Sequence, residues 1–234
     1  MPDLFRGGTL EMSHTPIPQE AAAQVWSDCL VNRIAAITGI VLLLIMVSDL
    51  IGLMPALLRC IGNRKANIEL EHSLSQARTR NRLTIVMAYL FCLLADRWGL
   101  IAPAFKTSLP AYWQLAVTAA VVAGFFLLRR LLYLASKFRS RIDEYSCLLR
   151  HTLFNYFILM VALMLPTALL LYVFRVPDAT VRVVLLVEAA VLVIRYLSVY
   201  LQFLGSRCNI FATILYLCAL EILPIGILIF VCTL

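Results

Sequence analysis

Six stretches of this sequence are each long and apolar enough to cross a bilayer: Ile34–Leu58, Leu83–Ala102, Ala111–Leu134, Leu148–Phe174, Ala179–Phe203 and Asn209–Leu234. A helix needs roughly 20 apolar residues to span the hydrocarbon core. No water reaches the backbone there, so only helices and closed barrels cross. The runs are continuous rather than alternating, which selects helices over a barrel. Helices of a soluble protein would show polar faces, and these show almost none. A hydrophobic fraction of 62% and a mean hydropathy of +0.92 fit the same reading; both exceed what soluble domains carry. The expected fold is all-α: one polytopic bundle of six spans over residues 34–234, preceded by a tail over 1–33, with no room for a separate soluble domain.

The tail carries Asp3, Glu11, Glu20 and Asp28 and lacks a basic start followed by an apolar stretch. It does not read as a cleavable leader, so the first span is expected to act as an uncleaved anchor. Basic residues then set the threading. Arg59, Arg64, Lys65, Arg78, Arg80 and Arg82 fill the first loop. Arg129, Arg130, Lys137, Arg139, Arg141 and Arg150 fill the third, and Arg207 stands in the fifth. The other side holds only Arg6, Arg33, Arg97, Lys106 and Arg175. Basic loops stay in the cytoplasm, which predicts both termini outside and an inner-membrane address. Trp26, Trp98 and Trp113 all fall near the predicted outer boundary, where indole rings favour the interface. The net charge of +7 is explained by the basic inner loops lying beside anionic headgroups; no nucleic-acid partner is expected. Asn63–Arg82 reads as a solvated polar loop. Lys137–Arg150, with Ile142, Tyr145 and Leu149 at helical spacing, reads as a short helix on the inner membrane surface.

Ionisable groups at membrane depth are costly and tend to be paired or functional. Asp49 lies in the first span, His151 and Asn155 in the fourth, Arg182, Glu188 and Arg195 in the fifth, and Glu221 in the sixth. Glu188, Arg195 and Gln202 recur every seven residues, close to two helical turns, and form one polar stripe with Ser198 beside it. Counting about 1.5 Å per residue from the span ends puts Asp49, Arg195 and Glu221 within roughly 6 Å of one depth. The expected candidate site is therefore an intramembrane polar cluster of Asp49, Asn155, Glu188, Arg195 and Glu221. Pro166 and Pro224 each remove a helical hydrogen bond and are expected to kink the fourth and sixth spans. Such a cluster serves either to fix helix registry or to carry a proton, an ion or a polar substrate.

Motifs for known intramembrane chemistry are lacking. There is no HExxH, P-loop or dinucleotide fingerprint and no GxSxG. The histidines are His14, His72 and His151, too few and too scattered for paired haem ligands. The seven cysteines form no CxxC and read as small apolar residues. No cofactor or metal is expected, and no residue is assigned to catalysis.

The run Leu215-Tyr216-Leu217-Cys218-Ala219-Leu220-Glu221-Ile222-Leu223-Pro224, the "FNYF" run Phe154–Phe157 and the basic first loop resemble a bacterial family of multi-span inner-membrane proteins known only as a domain of unknown function. The resemblance implies the fold class and the bacterial inner membrane, and it implies no activity. Short loops and a compact charge network favour a non-enzymatic scaffold or accessory subunit of a membrane complex, with a membrane-protein partner or a second copy. The alternative is a small transporter or ion-coupled channel lined by the polar cluster.

Overall fold

The computed structural model describes residues 26–60, 74–101, 103, 106, 109–137, 143–205, 218 and 222–233. Among them the secondary structure is helical throughout: α1 Leu30–Cys60, α2 Leu74–Arg97, α3 Ala111–Lys137, α4 Asp143–Val173, α5 Asp178–Gly205 and α6 Leu223–Thr233. Four of these, α1 and α3 to α5, contain stretches long and apolar enough to cross a membrane. The second expected span is a helix of 24 residues, but its apolar part is short, bounded by Arg80 and Arg82 at one end and Asp96 and Arg97 at the other. Of the sixth, only residue 218 and the part from 222 to 233 fall within the described residues.

Three boundaries differ from the sequence reading. α2 ends at Arg97 rather than Ala102, because Gly99 turns left-handed (φ 60°) and Leu100 N donates to Ala95 O at 2.9 Å. That six-to-one bond closes the helix end. The expected solvated loop gives way to helix at Leu74, with Arg80 buried. Asp143–Arg150 is no separate surface helix; it is the first two turns of α4. No glycine or proline interrupts the chain between residues 143 and 165, and helix once nucleated propagates.

α2 is the axis of the bundle. It packs against α1, α3 and α4, and α5 packs on α4. Leu83, Val86, Met87, Leu90 and Leu94 of α2 meet Leu53 and Leu57 of α1, Ile158, Val161, Met164 and Ala168 of α4, and Val181 and Leu185 of α5. Their spacing of three and four residues is the stripe a helix presents to a core. The FNYF run distributes its side chains among neighbours. Phe154 meets Phe126 of α3; Tyr156 meets Tyr196 of α5 and donates to Cys60 O of α1; Phe157 stacks edge-on against Phe91 and Phe126. Successive helices run antiparallel, as contacts at both ends show: Trp26 with Asp96 and Arg97 with Asp178 at one end, Tyr156 with Cys60 and Arg129 with Tyr196 at the other.

Hydroxyls in the helices look inward to their own backbone. Thr38, Thr84, Thr118, Thr167 and Ser198 each bond the carbonyl four residues back, at 2.8–3.0 Å. This local solution gives each of these five hydroxyls a partner on its own helix. Pro166 lies inside α4, which continues through it; the Ala162 carbonyl loses its usual donor there. Pro224 is buried at the start of α6.

At the crossing of α1 and α2, Gly39 is buried against α2, where an added Cβ would stand 2.8 Å from Leu93 Cδ1 and 3.1 Å from Leu90 Cδ2. Tyr89 brackets the contact by donating to Ala35 O at 2.8 Å. Gly39→Val should therefore push the two helices apart and lower stability by about 1–3 kcal/mol. Gly124→Ala in α3, where the added methyl meets nothing within 4 Å, should leave stability unchanged or raise it by up to about 1 kcal/mol. Thermal unfolding in mild detergent, followed by helical circular dichroism, measures both.

Candidate functional site

Two polar centres stand at opposite ends of the bundle. The first is built on Asp96, in the last turn of α2. A carboxylate there opposes the negative end of the helix dipole, so something must hold it. Lys106, from the turn between α2 and α3, does so: Nζ lies 2.7 Å from Asp96 Oδ1, with side-chain exposures of 7% and 0%. The same ammonium donates to Thr118 Oγ1 of α3 at 2.9 Å and to Ile101 O at 3.3 Å. All three of its N–H bonds are thus used. Thr118 Oγ1 lies 3.0 Å from both Asp96 Oδ1 and Gln114 O. Trp26 Nε1 donates to Asp96 Oδ2 at 2.6 Å. Every member of the network has partners, the condition under which a buried ion pair is tolerated.

Arg97 extends this centre. Its guanidinium lies between the Trp26 and Trp98 rings, 5.7 and 5.8 Å from their centroids, and 3.6 Å from Asp178 Oδ2. Arg97 ends one helix and Asp178 begins another, so each charge complements the dipole of its own helix. Trp26 and Trp98 thus stand at one end of the bundle, with Trp113 near the start of α3 at the same end. None of Asp96, Lys106 and Thr118 is among the cluster expected from sequence. Asp96 was legible as a carboxylate at the wrong end of a helix. Its pairing with Lys106 depends on the turn geometry.

The second centre joins α3, α4 and α5. Arg129 is buried, and its Nη2 donates to Tyr196 Oη at 2.7 Å. Tyr156, Tyr196 and Tyr200 stack in sequence, with ring centroids 5.7 and 6.0 Å apart. Asn155 and Thr152 are buried on the adjoining turn of α4. Arg80 is almost fully buried near the start of α2, with Nη2 3.3 Å from Asn81 Oδ1.

The expected intramembrane cluster is placed as follows. Asn155 is buried, Glu188 is half-buried, and Asp49 and Arg195 are exposed on α1 and α5. Gln202 and Ser198 share the exposed side of α5. The Glu188 carboxyl lies close to Thr167 of α4, and its Oε2 is buried with no hydrogen-bond partner among the described residues. No ion pair links Asp49, Glu188 and Arg195 among the described residues. Glu221 and the side chain of His151 lie outside the described residues. No group of three His, Cys, Asp or Glu side chains able to hold a metal comes together among the described residues. Cys29, Cys60, Cys92 and Cys218 are in no disulfide.

The described residues form an all-helical bundle in which four helices are long and apolar enough to cross a membrane, with a buried ion pair of Lys106 and Asp96 at one end; that is the class the fold defines. Within that class the chain belongs to the family described as domain of unknown function DUF4271, whose model matches residues 34–231. No curated protein and no solved structure matches it.

Removing one member of the outer network strands the others. Lys106→Met should cost about 3–5 kcal/mol, because Asp96 stays buried without its cation. Lys106→Met combined with Asp96→Asn should recover more than half of that loss. The detergent melting temperatures of both single variants and the double variant decide it.

Proposed function

We propose that this is a non-enzymatic integral protein of the bacterial inner membrane that serves as a subunit of a membrane complex. It threads the bilayer six times with both termini outside. Supporting that topology, α2 runs about 36 Å by helical rise, antiparallel to its neighbours. Arg59, Arg80, Arg82, Arg129 and Arg130 share the end opposite the tryptophans; basic residues favour the cytoplasmic side.

The observation that carries the subunit reading is the exposure of Asp49 and Arg195 within membrane-spanning stretches. Asp49 lies nine residues before Leu58, about 13 Å inside the span, and Arg195 eight before Phe203, about 12 Å inside. An arginine stem can bring its charge toward headgroups. An aspartate has no such reach, and a lipid-facing carboxylate at that depth is costly. A neighbouring chain that covers these faces removes the cost. α1 exposes Ile45 and Val41 about one and two turns before Asp49 on the same side, apolar neighbours of the kind such a contact requires.

Cross-linking in cells and native electrophoresis in mild detergent test this. The parent chain should migrate with a partner or a second copy, and Asp49→Leu should reduce that species about tenfold while the chain stays folded. A lone parent monomer to which nothing cross-links overturns the reading.

A second reading, a small transporter, is favoured by one observation: the partnerless Glu188 Oε2 beside the Pro166 region of α4. On that reading Glu188→Gln abolishes proton- or ion-coupled flux in proteoliposomes without changing the melting temperature. Unchanged flux removes Glu188 from any pathway.

A further inference from the structure

A cavity of about 790 Å³ lies along the seam between α2 and α3. Thr84, Ala88 and Cys92 of α2 and Ala119, Ala123 and Phe126 of α3 line it, and Phe154 of α4 adds a further wall. Small side chains at three of these positions keep the helices from filling the seam. Ala119 and Ala123 are exposed, as are Ile85 and Leu127, so the cavity opens sideways, where lipid chains lie in a spanning protein. Its polarity is one-sided. Asn81, Arg129 and Arg130 stand at the end toward the tyrosine stack, and no charged residue lines the rest.

From Leu115 to Arg130 the α3 wall runs about 22 Å, longer than the roughly 15 Å that one leaflet contributes to the hydrocarbon core. Arg129 is held in place by its bond to Tyr196 Oη, and Arg130 beside it is exposed. A buried, bonded guanidinium and an exposed one at the headgroup end of an apolar slot suit a phosphate, which arginine meets with paired N–H donors. The cavity volume falls in the range of sites that hold small amphiphiles.

We infer that the seam between α2 and α3 binds an anionic phospholipid, with its phosphate at Arg129, Arg130 and Asn81 and one acyl chain between Ala88, Ala119 and Ala123. Charge selects the occupant: a zwitterionic lipid offers the arginines a phosphate but adds an ammonium that they repel. The site is separate from the exposed faces around Asp49 and Arg195, so it stands or falls independently of the complex reading.

The test uses the full chain in mild detergent, titrated with phosphatidylglycerol, phosphatidylcholine or glycerol 3-phosphate and read by native mass spectrometry. The expected result is one retained phosphatidylglycerol, at least fivefold preferred over phosphatidylcholine, and no retained glycerol 3-phosphate. Arg130→Ala should weaken retention about fivefold, equivalent to the ~1 kcal/mol that one basic residue adds at an anionic surface. Ala123→Phe should abolish it by filling the slot with Arg130 intact. Ala119→Leu is the second plug if Ala123→Phe melts below the parent. Equal retention of phosphatidylcholine, or full retention in a folded plugged variant, overturns the inference. So does glycerol 3-phosphate binding as tightly as the lipid, which would make this a free-phosphate site, or an Ala123→Cys variant that cross-links to another protein chain.

Discussion

A carboxylate that has left water must be met by enough donors to replace its hydration, and Asp96 is met by Lys106 Nζ, Thr118 Oγ1 and Trp26 Nε1. That requirement organises one end of the molecule. It fixes where the turn after α2 must pass, because Lys106 has to reach back over Ile101. It fixes the rotation of α3, because Thr118 has to face α2. It draws the segment before α1 across the end of α2 through Trp26. Desolvating these charges costs several kcal/mol, so the pair stabilises only as a complete set. Its contribution is chiefly to specify one arrangement of three helices and one turn.

The same logic explains why the most polar helix is the central one. α2 begins with arginines and ends with Asp96 and Arg97, which makes it a poor candidate to face lipid. Surrounded by α1, α3 and α4, it buries Arg80 and Asp96 against protein groups and shows lipid little of either. The more apolar helices, α1 and α5, stand further out and turn many large side chains outward. In a bundle without a hydrophobic drive between helices, polar contacts and close packing decide which helix is central.

Much of this was legible in the sequence. The apolar runs fall within about five residues of the ends of the helices α1, α3, α4 and α5, because a continuous apolar run of that length has few other ways to satisfy its backbone. The depth of Asp49 and Arg195 could be counted, since helical rise is uniform. Their rotation about the helix axis could not, and rotation places both on exposed faces rather than against each other. Glu188, two turns before Arg195, shares its stripe but sits where α5 meets α4, so one stripe straddles the border between packed and open surface. The Lys106 and Asp96 pair was hidden for another reason. The two residues are ten apart across a turn punctuated by Gly99 and Pro103, and no periodicity relates residues on either side of such a break. The FNYF run was visible as a motif, but that its side chains reach four different helices is a property of packing alone.

What separates structural polar groups from interaction sites in this chain is whether the side chain has a local solution. Threonine and serine have one, the carbonyl a turn back, and five of them use it. Asp96 finds donors within the chain because it lies at a helix end beside a turn. Asp49 has neither route. A carboxylate is no donor to its own helix carbonyls, and the surrounding turns of α1 offer only Ser48 nearby, itself exposed. Among the described residues no ion pair meets it, and that sets it apart from Asp96.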